Sequence, residues 1–223
     1  NRDLNQYLYL RSITLVMLYA VPPFVAMIWM AEPIIRILYG EKWADCAPLL
    51  VYFAAFGPLL AMESLAGCVL AARDWLGREM LVQIAQLGVV SLGTVAGIPY
   101  GLEGMCAGVC LAALYGCVHL SWLASCCLNL PVRKIIAAPL VPLCYGLALL
   151  ALWAGLDHQL HLRDSLPTPA YVAVLLAAGA VLYLGLFLCW PAPALAAERA
   201  RWLKLVRVAP SSTVASPDQE LPP

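Results

Sequence analysis

Six long runs of apolar residues, at about 12–31, 46–72, 79–98, 104–127, 135–156 and 170–190, alternate with short polar segments along the chain. Each run holds roughly 20 residues or more, which at about 1.5 Å rise per residue lets a helix cross a hydrocarbon layer about 30 Å thick. The stretch AYVAVLLAAGAVLYLGLFLCW has no polar face at helical spacing, so a water-soluble helix bundle is excluded. The pattern predicts an all-α membrane protein with six transmembrane helices over residues 1–191.

Within the runs, Pro22 and Pro23 fall at mid-depth of the first and Gly57-Pro58 in the second, where a missing backbone donor predicts a kink. Between those two spans, Pro33, Tyr39, Gly40 and Trp43 mark a short helix at the membrane–water interface. Gly104 and Gly108 form a GxxxG that lets backbones approach closely. The fifth and sixth spans carry the fewest polar residues and are expected toward lipid. Past Trp190, ALAAERARWLKLVRV over 192–209 reads as a basic interfacial helix, with Trp202 toward the bilayer and Arg201 and Lys204 toward phosphates. The Pro/Ser-rich residues 210–223 read as a disordered cytoplasmic tail.

Composition agrees: 63% of the 223 residues are hydrophobic and 12% charged, against about a quarter charged in soluble domains. Lys and Arg set the orientation. Ten of them (Arg2, Arg11, Arg73, Arg78, Arg133, Lys134, Arg199, Arg201, Lys204 and Arg207) fall on one side of the implied membrane, and three (Arg36, Lys42 and Arg163) on the other. Both ends of the chain are therefore expected in the cytoplasm. Net charge is zero, so nucleic acid is not an expected partner. The nine cysteines make no CxxC and read as small apolar packing residues, so no metal and no cofactor are expected. The chain opens Asn1-Arg2-Asp3, without an initiator Met, and is expected to be the C-terminal part of a longer protein.

The order ILYGEKWADCAPLL, then LAARDWLGRE, then GIPYGLEGMCAG, then the NLPVRK turn resembles the C-terminal half of bacterial polysaccharide (O-antigen) repeat-unit flippases over about residues 7–150. These form the oligosaccharide flippase family within the multidrug/oligosaccharidyl-lipid/polysaccharide exporter superfamily. The resemblance implies one lobe of a two-lobe alternating-access transporter. Its cargo would be undecaprenyl-diphosphate-linked oligosaccharide repeat units, moved across the bacterial inner membrane for polysaccharide or lipopolysaccharide biosynthesis. It implies as partners that lipid-linked oligosaccharide, membrane lipids, and an N-terminal six-helix bundle of the same protein. A cation-coupled drug exporter or lipid II flippase would share the fold. A membrane enzyme of envelope glycan assembly is the rival of another class.

No catalytic set is visible: GxSxG, a Walker loop and metal-spaced His/Asp clusters are all missing from the sequence, and an enzyme is not expected. His158 and His161 flanking Asp157 read as a solvated loop. Candidate cleft residues are polar groups inside spans, since a carboxylate at mid-depth costs about 2.5–3.5 kcal/mol unless satisfied. Glu63, in the second span, is the candidate coupling group for a proton or cation; its other reading is a hydrogen bond to Gln83 or Gln86. Gln83 and Gln86 share a helix face and are candidates for glycan contact. His119, in the fourth span, is a candidate because histidine changes charge near neutrality. Arg11, at the entry of the first span, could draw a diphosphate.

Overall fold

A computed structural model describes residues 2–160, 166–189, 195–196, 198–200 and 202–203. These residues are helical almost throughout, and no strand occurs among them. The helices are α1 (Arg2–Trp29), α2 (Ala31–Tyr39), α3 (Ala47–Ala71), α4 (Leu76–Gly97), α5 (Gly101–Leu128), α6 (Val132–Ala137), α7 (Leu140–Leu160) and α8 (Thr168–Cys189), with 3-10 turns at Glu41–Cys46 and Ile98–Tyr100. Five stretches are long and apolar enough to cross a membrane: Asp3–Trp29, Glu41–Ala71, Leu76–Leu128, Val132–Leu160 and Thr168–Cys189. The third, 53 residues long, contains both α4 and α5.

Long helices that follow one another in the chain run antiparallel, and side-chain contacts fix the register. Gln6 Nε2 donates to Leu128 O at 2.9 Å and to Asn129 O at 3.2 Å, tying the start of α1 to the carbonyls that α5 leaves unsatisfied at its end. Asn129 ends α5 in the left-handed conformation (φ 50°), which asparagine tolerates better than most residues.

Pro22, Pro23 and Pro58 do not interrupt their helices, and two of the carbonyls that prolines leave without a backbone donor are satisfied by other elements. Pro22 cannot donate to Leu18 O, four residues earlier; Tyr183 Oη of α8 donates there instead, at 2.7 Å. Pro142 likewise leaves Ala138 O, and Thr14 Oγ1 of α1 lies 3.2 Å from it and 3.0 Å from Leu10 O. One hydroxyl on each side thus fastens α1 to the last part of the chain.

The core is centred on α1, whose Ile13, Met17 and Val21 are nearly inaccessible, as is Met30 just after it, with α3, α5 and α7 packed around it. The expectation that the fifth and sixth spans lie toward lipid is only partly realised. The fifth breaks into α6 and α7, and α7 places Tyr145, Leu149 and Trp153 in the core. The outermost helix is α4, in which only Gly97 is buried.

That position follows from how α4 is held. Gly93 and Gly97 of α4 face Gly108 and Gly104 of α5, so that a Cβ added at Gly93 would stand 2.9 Å from the Gly108 Cα. The GxxxG of α5 therefore meets a second GxxxG, Gly93–Gly97, backbone to backbone. Gly101, at φ +73°, turns the chain between the two helices.

After α1, the short α2 ends at Gly40 (φ +85°), and Arg36 clamps the turn by ion pairs to Glu32 (2.7 Å) and Glu41 (3.0 Å). Of the expected interfacial helix 192–209, the described residues are 195–196, 198–200 and 202–203. The rest of it, the tail 210–223, and His161, Arg163 and Asp164 of the loop before α8 lie outside the described residues.

Candidate functional site

Glu63 lies on α3 eight residues before its end at Ala71, about 12 Å along the axis. The hairpin formed by α3 and α4 sets what faces it. A Cβ at Gly67 would stand 2.8 Å from Glu79 Oε1, and farther from the turn between the two helices Gln86 comes to Glu63. Gln86 Nε2 donates to Glu63 Oε2 at 3.4 Å. On the far side, Gly116 of α5 makes room for the amide: a Cβ there would be 2.7 Å from Gln86 Oε1. Glu63 and Gln86 are both half-buried. The site is thus a carboxylate and an amide wedged between three helices, with the bare backbone of Gly116 as its floor.

Chemically, the pair offers an acceptor-only carboxylate partly balanced by one neutral donor. A single amide bond satisfies few of the lone pairs of an ionised carboxylate, so the site can take a proton or a cation.

The other sequence candidates do not converge on this pair. Gln83 is exposed and donates to Glu79 Oε1 at 3.2 Å, one turn back on its own helix. Its three-residue offset from Gln86 is about 60° around the axis and about 4.5 Å along it, so the two share a face of α4 but meet different partners. His119 is half-buried on α5, with Nδ1 2.9 Å from Tyr115 O and its ring stacked on Tyr115 at 4.0 Å. A carbonyl only accepts, so Nδ1 carries the hydrogen in that contact. Arg11 stands at the α1 end of the bundle, with Nη2 3.5 Å from Glu198 Oε2 and Nη1 3.5 Å from Tyr7 Oη.

Three residues that sequence reasoning passed over take part here. Gly116 carried a signal, being a glycine in the middle of a long apolar helix. Glu198 carried none, because it lies 187 residues from Arg11. Tyr9, 5% exposed, lines a cleft of about 390 Å³ between α1 and α3 together with Asn5, Ser12 and Arg73, and its hydroxyl has no partner among the described residues. Among the described residues no group of three His, Cys, Asp or Glu side chains is placed to hold a metal ion.

A family model described as "Polysaccharide biosynthesis protein" matches residues 1–48, which span α1, α2 and the 3-10 turn after them. No curated protein and no solved structure matches the chain. Described residues that are helical almost throughout, with several membrane-length apolar helices, and a match of the first 48 residues to that family support a membrane protein with a role in polysaccharide synthesis or export.

Proposed function

We propose that this chain is the C-terminal six-helix lobe of a transporter that moves lipid-linked oligosaccharide repeat units across the bacterial inner membrane. The match of residues 1–48 to a polysaccharide biosynthesis family carries the reading, and the interior Glu63–Gln86 pair gives it a mechanism. Six spans follow if the 53-residue stretch crosses twice. A straight helix of that length would extend about 80 Å, far more than the bilayer. Its two halves instead lie side by side through facing glycines.

Translocation breaks no bonds. It needs a polar path for glycan and phosphate, apolar walls for the polyprenyl tail, and a coupling group. Glu63 is the coupling candidate: neutralised by a proton or cation it releases Gln86 and loosens α3 from α4, and recharged it recaptures the amide. Arg11, with Asn5, Ser12 and Arg73 at the same end, supplies the cationic and polar entry for the phosphate. A second lobe of the same protein would complete the cleft.

In the native host, Glu63→Gln is expected to cut surface polysaccharide by about tenfold or more at unchanged protein level, with lipid-linked repeat units accumulating inside. Normal surface polysaccharide in that variant would remove Glu63 from the mechanism. Loss of the whole protein without accumulation of lipid-linked units would remove the transport reading itself.

Orientation has its own check. Single cysteines placed at Tyr100 and at Val132 in a cysteine-free background should react with an impermeant maleimide differently. Position 100 should label in intact cells, and position 132 only after permeabilisation. The opposite pattern would invert the proposed topology.

A further inference from the structure

We propose that Leu195, Glu198 and Trp202, beyond α8, form a releasable strap on α1, and that Glu198 holds Arg11 in place of a phosphate-bearing anionic lipid. The proposal rests on the role suggested above for Arg11 in receiving phosphate.

Three contacts seat the strap. Leu195, 3% exposed, is buried with Leu18 of α1, Tyr145 of α7 and Phe187 of α8. Glu198, 9% exposed, reaches Arg11. Trp202 Nε1 lies 3.4 Å from Tyr19 Oη, and its ring helps close an apolar pocket against Pro22 and Phe187. Arg11 and Tyr19 are eight residues apart, a little over two helical turns, and so lie on one face of α1. The strap therefore covers the part of α1 that runs up to its two prolines.

The strength of these contacts is uneven. Leu195 is packed as a core residue is. The ion pair, in contrast, is a single 3.5 Å contact, longer than the 2.7–2.9 Å of a good charge-assisted bond and not bidentate. A carboxylate so nearly buried has Arg11 as its one cationic partner among the described residues, so removing that partner leaves its charge uncompensated. The guanidinium, still 32% exposed, keeps donors free for a better-matched anion. A phosphate can engage two of those donors at once, where Glu198 engages one. Arrival of such a headgroup therefore takes Arg11 from Glu198 and frees the strap.

Arg199 lies in a helical turn one residue after Glu198, and trypsin needs that turn unwound, so cleavage after Arg199 reads the open fraction. The experiment uses the full-length protein in nanodiscs of phosphatidylcholine, of phosphatidylglycerol, and of phosphatidylcholine doped with undecaprenyl diphosphate. Glu198→Gln should be cut about fivefold faster than wild type in phosphatidylcholine, as expected for losing one partly exposed ion pair. Either phosphatidylglycerol or undecaprenyl diphosphate should raise wild-type cutting toward that level, and whichever does so identifies the source of the headgroup. Neither should accelerate the Arg11→Gln variant further, which controls for anionic lipid simply attracting the basic segment. Equal cutting of wild type and Glu198→Gln overturns the strap. A wild type insensitive to both lipids overturns displacement by phosphate. Because cleavage needs no transport, a strap that opens in a protein that moves nothing would discard the transport reading alone.

Discussion

Replacing Gly108 with leucine is expected to force α4 off α5 and to destabilise the folded bundle by about 3 kcal/mol, the upper end of overpacking penalties. The reason is what lies opposite. A Cβ at Gly108 would meet backbone atoms of Gly93 and stand 2.8 Å from the Thr94 nitrogen, and backbone cannot rotate away as a side chain tip can. At the next contact along, Gly97 and Gly104 repeat the arrangement, so α4 cannot pivot about one pair to relieve the other. The burden falls on α4 because it has little else to hold it: Gly97 is its one buried residue, and its contacts with α3 are few beside those with α5. In a bilayer such an interface is held by close van der Waals contact, with lipid replacing any lost apolar contact at little cost, so proximity is the whole of its strength. Gly185→Leu on α8, where no atom lies within 4 Å of an added Cβ, should be nearly neutral. Reversible unfolding of the protein in detergent micelles or bicelles measures both. A Gly108→Leu protein as stable as wild type would mean that α4 and α5 do not touch at these glycines.

That interface also shows how much the sequence can disclose. Gly104 and Gly108 announce a close approach by their spacing, and Gly93 and Gly97 have the same spacing. Pairing the two requires the antiparallel register, which the turn at Pro99-Tyr100-Gly101 sets, so half the interface was legible and its partner was not. The apolar runs located every long helix to within a few residues at most ends. The exception is α1, which begins at Arg2 rather than near residue 12, because Asp3, Asn5 and Gln6 can continue a helix beyond the apolar layer while serving as its polar end. Glu63 stood out as a carboxylate inside an apolar run, and Gln86 was one of two partners considered. Which glutamine it meets is a matter of helix rotation, decided by where Gly116 leaves space. Arg11 was visible as a cation at a span entry, yet its pairing with Glu198 depends on how the chain returns after α8. Contacts close in sequence were readable; those set by rotation or by distant return were not.

Trp153 offers the clearest case of the second kind, and Trp153→Ala is expected to cost about 3 kcal/mol, the low end for a fully buried aromatic truncated to alanine. The indole is 1% exposed, and its Nε1 donates to Leu175 O of α8 at 2.8 Å. Its Cζ2 fills the groove at Gly179, where an added Cβ would approach it to 2.7 Å. The low end applies because burial here exchanges lipid for protein and not water for protein, so the loss is one of packing and of one hydrogen bond. Trp153→Phe keeps much of the volume and gives up the N–H, and should cost about 1 kcal/mol. Gly179→Leu tests the fit from the other side. Alone it drives a side chain into the indole and should destabilise by about 2 kcal/mol. Combined with Trp153→Ala, the same leucine enters the space the indole vacated, so the second substitution should recover stability. The sign of its effect thus reverses with the residue at 153, a coupling of about 2–3 kcal/mol that only direct contact produces. Additive losses in unfolding measurements on the two single variants and the double variant would show that α7 and α8 do not meet at these positions.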